Sequence, residues 1–458
     1  MTQLPKWLQA RWRRLALELA TMPLGRRLIR GAAASLVITA ASMLLGVTNS
    51  VLLGRSLGPE QFGLYSFVLI VVGLVTVPFW YGMSVLLTRE TARMAASGTR
   101  GQMGDLLGWS FGWAARAIVA VTALAAVMLW LLSGWLGPGR TAVCLVGLPF
   151  IALSIVQPLN SSLLRGLGGL VRSQFADLVA RPAMVLLGLL LVLGIFGRHF
   201  MTAQSGLAIS MLALLIGTGL SGYWLIAAWQ TMRFASRRGA EPYLPNYRFR
   251  NLLAFSAVAV LSALYGSIDT LMLDRLDGDA ALGVYRIAMT ALQLVNSLVA
   301  AINTITQPSV ASLHIAGDQG RLQRLLTANS RATLALVAVP AAVLILFGAP
   351  LLRVVFGEAF VAGAPALAIG AAGQLVTVLA GPVWNVLSMT GHERSALRFL
   401  LIATVSNFAL CALLIPAFGM TGAAIGTAAG NIVFVSLMSF NERRLAGVTS
   451  SVFGVRRS

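Results

Sequence analysis

Charge is the first thing this 458-residue chain has little of: Asp, Glu, Lys and Arg together make up 10% of it. A folded soluble domain carries about 25%, because its surface has to be wetted. With 58% hydrophobic residues, the chain cannot cover itself for water, so its solvent is largely lipid. Cysteine is scarce as well. Cys144 and Cys411 fall in separate apolar segments, which excludes a disulfide framework and leaves two small buried apolar residues. The three histidines, His199, His314 and His392, form no pair at metal-ligand spacing, so neither a metal site nor another cofactor is expected. No Walker A, G-x-S-x-G or H-E-x-x-H pattern occurs. Connections between apolar segments are too short to hold a soluble domain. Catalytic groups have nowhere to reside, and an enzyme is not expected.

What the chain has in abundance is apolar stretches of about 20 residues, each long enough to cross a roughly 30 Å hydrocarbon core. They fall at 31–53, 63–87, 108–133, 141–164, 174–196, 205–229, 251–273, 282–308, 332–352, 365–388, 397–416 and 420–440. Spans of this kind are helices, since lipid leaves no other partner for backbone N–H and C=O groups. The expected class is an all-α integral membrane protein of about twelve transmembrane helices.

The net charge of +20 would suit nucleic acid if it were gathered in one patch. It is not. Of the 34 Lys and Arg, 26 fall in alternate connections and at the two ends, and three lie inside spans. The other connections hold Arg55, Arg140, Arg198, Arg275 and Arg353. This alternation is the positive-inside pattern, placing both termini in the cytoplasm and excluding nucleic acid as partner. Residues 1–30 hold Leu8, Trp12, Leu15 and Leu19 on one helical stripe and Arg11, Arg14 and Glu18 on another. That suits either a basic amphipathic helix on the inner leaflet or an ordinary basic leader.

The segment Arg55-Ser-Leu-Gly58-Pro-Glu-Gln-Phe-Gly63-Leu-Tyr65 returns 220 residues later as Arg275-Leu-Asp-Gly278-Asp-Ala-Ala-Leu-Gly283-Val-Tyr285. Six spans separate the copies, an even number, so the two halves enter the membrane in the same sense. Parallel repeats of this kind hold substrate at their mutual interface in many transporters. The expected organisation is a basic amphipathic segment 1–30, a six-helix bundle 31–230, a cytoplasmic linker 231–250, a second bundle 251–440 and a basic tail 441–458.

Polar residues inside the spans mark candidate sites. Arg286, Gln293, Asn296, Asn303 and Gln307 share one face of span 8 by their spacing, over about 30 Å of depth. Span 1 offers Ser35, Thr39, Ser42, Gly46 and Asn49; span 10 offers Gln374, Thr377, Gly381, Asn385 and Ser388. Such residues either line a wet cavity or hold helices together by hydrogen bonds. Arg116, Asp177, Arg181, Asp269 and Arg286 are ionisable groups within spans, each costing about 3 kcal/mol near a helix centre. Asp177 and Arg181 stand four apart and are expected to bridge; Asp269 and Arg286 share a depth on consecutive spans and are expected to pair. Arg116 has no acidic partner in its own helix, which leaves it either facing a cavity or snorkelling to the inner leaflet. Arg outnumbers acid among these five, which hints at an anionic substrate. The candidate substrate-binding residues are therefore Arg116, Arg181, Arg286, Gln293, Asn296, Asn303, Asp269, Asp177 and Asn49. Gly422, Gly426 and Gly430 form two GxxxG steps on span 12, a structural device for close helix approach.

Residues 54–65 (GRSLGPEQFGLY), Thr88-Arg89-Glu90 and 414–427 (LIPAFGMTGAAIGT) resemble the polysaccharide flippases of the multidrug/oligosaccharidyl-lipid/polysaccharide exporter superfamily. Gly357-Glu358-Ala359-Phe360 and Met389-Thr390-Gly391 look like further landmarks of that family. The resemblance implies two six-helix bundles around a central cavity lined by spans 1, 2, 7 and 8. It implies an oligosaccharide on polyprenyl pyrophosphate, carried from inner to outer leaflet by alternating access for cell-surface or exopolysaccharide assembly. Membrane lipids, a polysaccharide polymerase and export proteins would be its partners, and the bacterial cytoplasmic (inner) membrane its place. A multidrug or organic-cation antiporter of the same superfamily and a non-transporting scaffold for polysaccharide assembly are the competing expectations.

The topology is open to direct test. Reporter fusions after Gly98, Arg238 and Ser458 should report cytoplasm, and fusions after Gly137 and Gly278 the opposite side. An outside signal from the fusion at Ser458 would overturn both the even span count and the parallel repeat.

Overall fold

The computed structural model describes residues 23–97, 103–233, 249–390 and 392–454. Most of segment 1–30 and of linker 231–250, and residues 455–458 of the tail, lie outside the described residues. Among those described, every regular element is a helix, as lipid requires.

Helix α1 (Pro23–Ser97) turns at Gly58, and α2 (Met103–Gly166) turns at Gly137. Both glycines take a positive φ, 73° and 77°, and a proline follows each. Glycine reaches that conformation without strain, and proline is preset for the first helical position beyond it. The chain continues as α3 (Leu170–Gln174), a π turn (Phe175–Ala180), α4 (Arg181–Phe196), α5 (Ala203–Arg233) and α6 (Phe249–Tyr265). Next come α7 (Ile268–Asp277), α8 (Asp279–Ile315), α9 (Gln319–Val355), α10 (Ala364–Ala380), α11 (Val383–Met389) and α12 (Glu393–Ala446).

Nine of the described helices are long and apolar enough to cross a bilayer. A tenth arises if Phe255–Tyr265 and Ile268–Asp277, bent by 45°, count as one. The two longest candidates, Ala34–Ala95 and Ser395–Ala446, contain the turns at Gly58 and Gly419. Span 332–352 kinks at Phe347, and three further segments expected to be continuous are interrupted. Span 251–273 bends between α6 and α7, and span 365–388 breaks at Gly381-Pro382, where Pro382 cannot donate a helical bond. Span 174–196 opens on the π turn.

Packing joins α1 to α2, α6 and α8, and α12 to α7 and α10. Leu87, Ile155, Leu159, Leu207, Ile287 and Leu367 are fully buried in one continuous core. Leu44, Val119, Trp130 and Leu413 stand 69–75% exposed, apolar surface that only lipid covers at no cost. The two copies of the repeated motif touch each other. A side chain at Gly63 would strike the Asp279 carbonyl, and one at Gly283 would strike the Pro59 carbonyl, so the contact is the same read from either half. The glycines of span 12 also do what their spacing suggests: Gly422, Gly426 and Gly430 lie against Leu414, Cys411 and Asn407.

Past α12 the chain folds back. Helix α12 reaches Ala446, beyond the expected tail boundary at 441. The Ser450 amide and hydroxyl both donate to Glu442 Oε2, at 2.9 and 3.0 Å. Gln323 exchanges two hydrogen bonds with the Thr449 backbone, and the Val452 amide donates to the Leu379 carbonyl at 3.0 Å.

Gly283→Val should cost about 2–3 kcal/mol, since a backbone carbonyl cannot yield as a side chain can. Gly73→Ala, with open space around it, should leave stability unchanged or slightly raised. Thermal unfolding in detergent distinguishes them.

Candidate functional site

A cavity of about 270 Å³ lies where α1, α4 and α8 meet. Gly46 and Asn49 of α1, Arg181 of α4, and Arg286 and Thr290 of α8 line it, beside Tyr65. Position follows from local sequence. Pro182 sits in the first turn of α4 just after Arg181, and its carbonyl accepts from Asn49 Nδ2 at 2.9 Å. Tyr65 is fixed by a 2.9 Å bond between its hydroxyl and Ser210 Oγ. No Asp or Glu lines this cavity. Neither Arg181 nor Arg286 forms an ion pair within 4.0 Å among the described residues. Two guanidiniums thus face a shared space without a direct ion pair, a costly arrangement in a membrane protein that an entering anion would relieve.

Arg286 also borders a second cavity of about 350 Å³, lined by Asp269, Gln293, Asn296, Gln374 and Asn431 among others. Gln374 borders a third, of about 230 Å³, with Asn303, Thr377, Trp384 and Asn385. The polar face of span 8 therefore opens onto cavity from Arg286 down to Asn303. Gln307 ends that face in a 3.0 Å bond from its Nε2 to Asn385 Oδ1, a helix-to-helix tie. Asn49 stands in the arginine cavity, away from this row.

The two expected ion pairs do not form. Asp177 sits in the π turn and accepts from Gln157 of α2, while Arg181 lies in the arginine cavity. Asp269 is held by hydroxyls and amide hydrogen: Oδ2 accepts from Tyr285 at 2.5 Å and Thr427 at 3.0 Å, and Oδ1 from the Thr270 amide at 2.7 Å. Neutral donors satisfy both oxygens, so Asp269 does not need Arg286, though both border one cavity. Arg116 borders none of the three cavities. It shares an exposed face of α2 with Ala115, Val119 and Ala120, while Ala114 and Ala117 point inward.

One ionic cluster was not foreseen. Arg140, just past the Gly137 turn, donates from Nε to Asp279 Oδ2 at 3.0 Å and from Nη2 to Asp274 Oδ1 at 2.9 Å, with Nη2 also bonded to Asp279 Oδ1. The Asp274 side chain is 4% exposed. Phe67 lies under the guanidinium, 5.8 Å from ring centroid to Cζ. Arg55 adds a bond to the Val354 carbonyl. Together with the Gly63–Gly283 contact, these link residues 55–140 to residues 274–354 at one end of the bundle. At the other end Ser256 Oγ donates to the Pro78 carbonyl at 2.7 Å, a neutral tie between α6 and α1.

Residues 28–314 match the family described as polysaccharide biosynthesis protein. The chain belongs to that family. It is 24% identical over 401 residues to the probable low-salt glycan biosynthesis flippase of Haloferax volcanii, covering 86% of this chain and 78% of that one. Its fold is similar to an inward-facing multidrug resistance MATE family transporter of the MOP superfamily. The TM-score is 0.73 at 14% identity, covering 91% of this chain and 98% of that one. The lipid II flippase MurJ in its inward closed conformation is also similar, with TM-score 0.66 and 14% identity over 89% and 87% of the two chains. This family member is therefore a multi-pass membrane protein with a MATE-like fold.

Sequence reasoning missed Tyr65 and Ser210 at the site, although Tyr65 closes the repeated motif and its counterpart Tyr285 is likewise buried and bonded. It also missed the partners of Arg140, which lie 134 and 139 residues away and leave no local trace. Arg140→Ala should strand the buried Asp274 carboxylate and cost about 3 kcal/mol or more. Arg140→Gln combined with Asp274→Asn and Asp279→Asn should recover most of that loss in thermal unfolding.

Proposed function

We propose that this protein is a flippase that moves a polyprenyl-pyrophosphate-linked oligosaccharide from the inner to the outer leaflet, by alternating access of two halves. The observation that carries the reading is the pair Arg181 and Arg286, without a direct ion pair and facing one cavity with no acid in its lining. A guanidinium offers parallel N–H donors that match phosphate oxygens, and its charge is permanent. A pyrophosphate seated there would meet both arginines, Tyr65 and Ser210 while its lipid tail stayed in the bilayer. The family and the named flippase relative agree with a carrier of this kind.

In this reading each side of the Gly58 and Gly419 turns is a separate span and the α6–α7 pair is one, which gives twelve crossings with both termini cytoplasmic. The halves are 31–230 and 251–440, joined through 231–250. The Arg140 cluster then lies on the outer side and holds that side shut, leaving the cavities to load from within. A polymerase and export proteins acting on the emerging glycan are the expected partners, in a cytoplasmic membrane. The competing antiporter reading would need an acid open to an organic cation. Asp269 borders a cavity, but hydroxyls and an amide already engage both its oxygens.

Undecaprenyl pyrophosphate binding to purified protein tests the reading. Arg181→Ala and Arg286→Ala should each weaken binding tenfold or more, since a charged hydrogen bond contributes roughly 1.5–3 kcal/mol. The Lys variants should recover part of it, and Arg116→Ala should bind as the parent does. Parental affinity in the double Arg181→Ala/Arg286→Ala protein would overturn the proposal.

A further inference from the structure

Below Arg286 the character of the lining changes. The 230 Å³ cavity is bordered by Asn303, Gln374, Thr377 and Asn385 with Trp384 and Phe434, and holds no Asp, Glu, Lys or Arg. Gln374 borders both this cavity and the 350 Å³ one. Along α8 the distance from Arg286 to Asn303 is about 25 Å. Apart from Arg286 and Asp269 in the 350 Å³ cavity, the polar side chains that face this space are carboxamides and hydroxyls, which both donate and accept. Asn296 Oδ1 is buried without a hydrogen-bond partner among the described residues, a state that costs roughly 1–3 kcal/mol unless a ligand or water supplies a donor. At the far end Trp384 and Phe434 lie together, centroids 6.1 Å apart, with Trp384 38% exposed.

Taken as chemistry, this is a surface for a neutral, hydroxyl-rich chain. Amides answer hydroxyl groups in both directions, an aromatic face covers the C–H side of a sugar ring, and the absence of charge from the 230 Å³ cavity gives an acidic sugar no counter-ion there. A lipid tail would leave the amides unsatisfied. A second pyrophosphate would find no cation. We propose that the two C-terminal cavities form a glycan subsite, which holds uncharged sugar residues along α8 between Arg286 and Trp384. The inference rests on the flippase reading for its orientation: phosphate at the arginines, sugars running from there toward Trp384.

Two lipids separate the subsites. One is undecaprenyl pyrophosphate without sugar; the other is the lipid-linked oligosaccharide extracted from host membranes in which this protein has been deleted. In a Cys144→Ala/Cys411→Ala protein, single reporters Thr290→Cys in the arginine cavity, and Asn303→Cys and Thr377→Cys in the lower one, are labelled with a small hydrophilic thiol reagent. Bare lipid should slow labelling of Thr290→Cys at least fivefold and leave the two lower reporters unchanged. The glycan-bearing lipid should slow all three. The subsite is overturned if the glycan-bearing lipid leaves Asn303→Cys and Thr377→Cys unprotected, or if bare lipid protects them equally. It is also overturned if the protecting lipid carries a glycan made mainly of acidic sugars. Failure of both lipids at Thr290→Cys would instead overturn the pyrophosphate reading, so the two failures are told apart.

Discussion

A charge or polar group placed in hydrocarbon has to find a partner inside the protein, and in this molecule that requirement sorts nearly every informative residue. Asp177 finds Gln157, and Asp269 finds three hydroxyls and an amide; Arg140, in the connection past Gly137, finds two aspartates. Once these are accounted for, Arg181 and Arg286 are left facing the same empty space. The same rule explains the turns. Backbone can leave the helix at Gly58, Gly137 and Gly278 because these lie at helix ends, and at Gly381 because Ser450 and Ser330 from neighbouring segments close around it.

Much of this was legible in the sequence, because the membrane imposes a period and a length. Apolar stretches marked helices long enough to cross a bilayer, the 220-residue echo marked the two segments that meet at Gly63 and Gly283, and the spacing of Arg286, Gln293, Asn296 and Asn303 marked a face that borders cavities. What could not be read was the choice of partner. Asp177 and Arg181 have a spacing that suits a bridge, yet an amide on another helix reaches the carboxylate first. Arg116 failed as a cavity residue for a related reason. Alanine occupies both the buried positions 114 and 117 and the exposed positions 115 and 120, so composition cannot say which face meets lipid. The count of spans was obscured where a helix turns on a single glycine without a polar loop.

The site is asymmetric although the scaffold repeats. Arg181 comes from the first half, while the row of amides and the interrupted helix at Gly381-Pro382 belong to the second. Division of labour follows. Arg181 and Arg286 meet at one cavity, and residues between 299 and 438 alone line the uncharged one. The tail segment 447–454 packs through Ser450 against Glu442, Ser330 and the α10–α11 break. Ser330 and Gly381 line the 230 Å³ cavity, so the tail braces the wall of that lining from behind.

The self-matching contact of Gly63 and Gly283 has a corollary in symmetry. Because Gly63 meets Asp279 and Gly283 meets Pro59, the patch is complementary to its own copy, which is the condition for an isologous dimer. A half-length chain carrying this patch would meet its own copy through the same surface. In such a pair any change at the glycine would strike both sides of the contact together, whereas in this chain Gly63 and Gly283 can be changed one at a time.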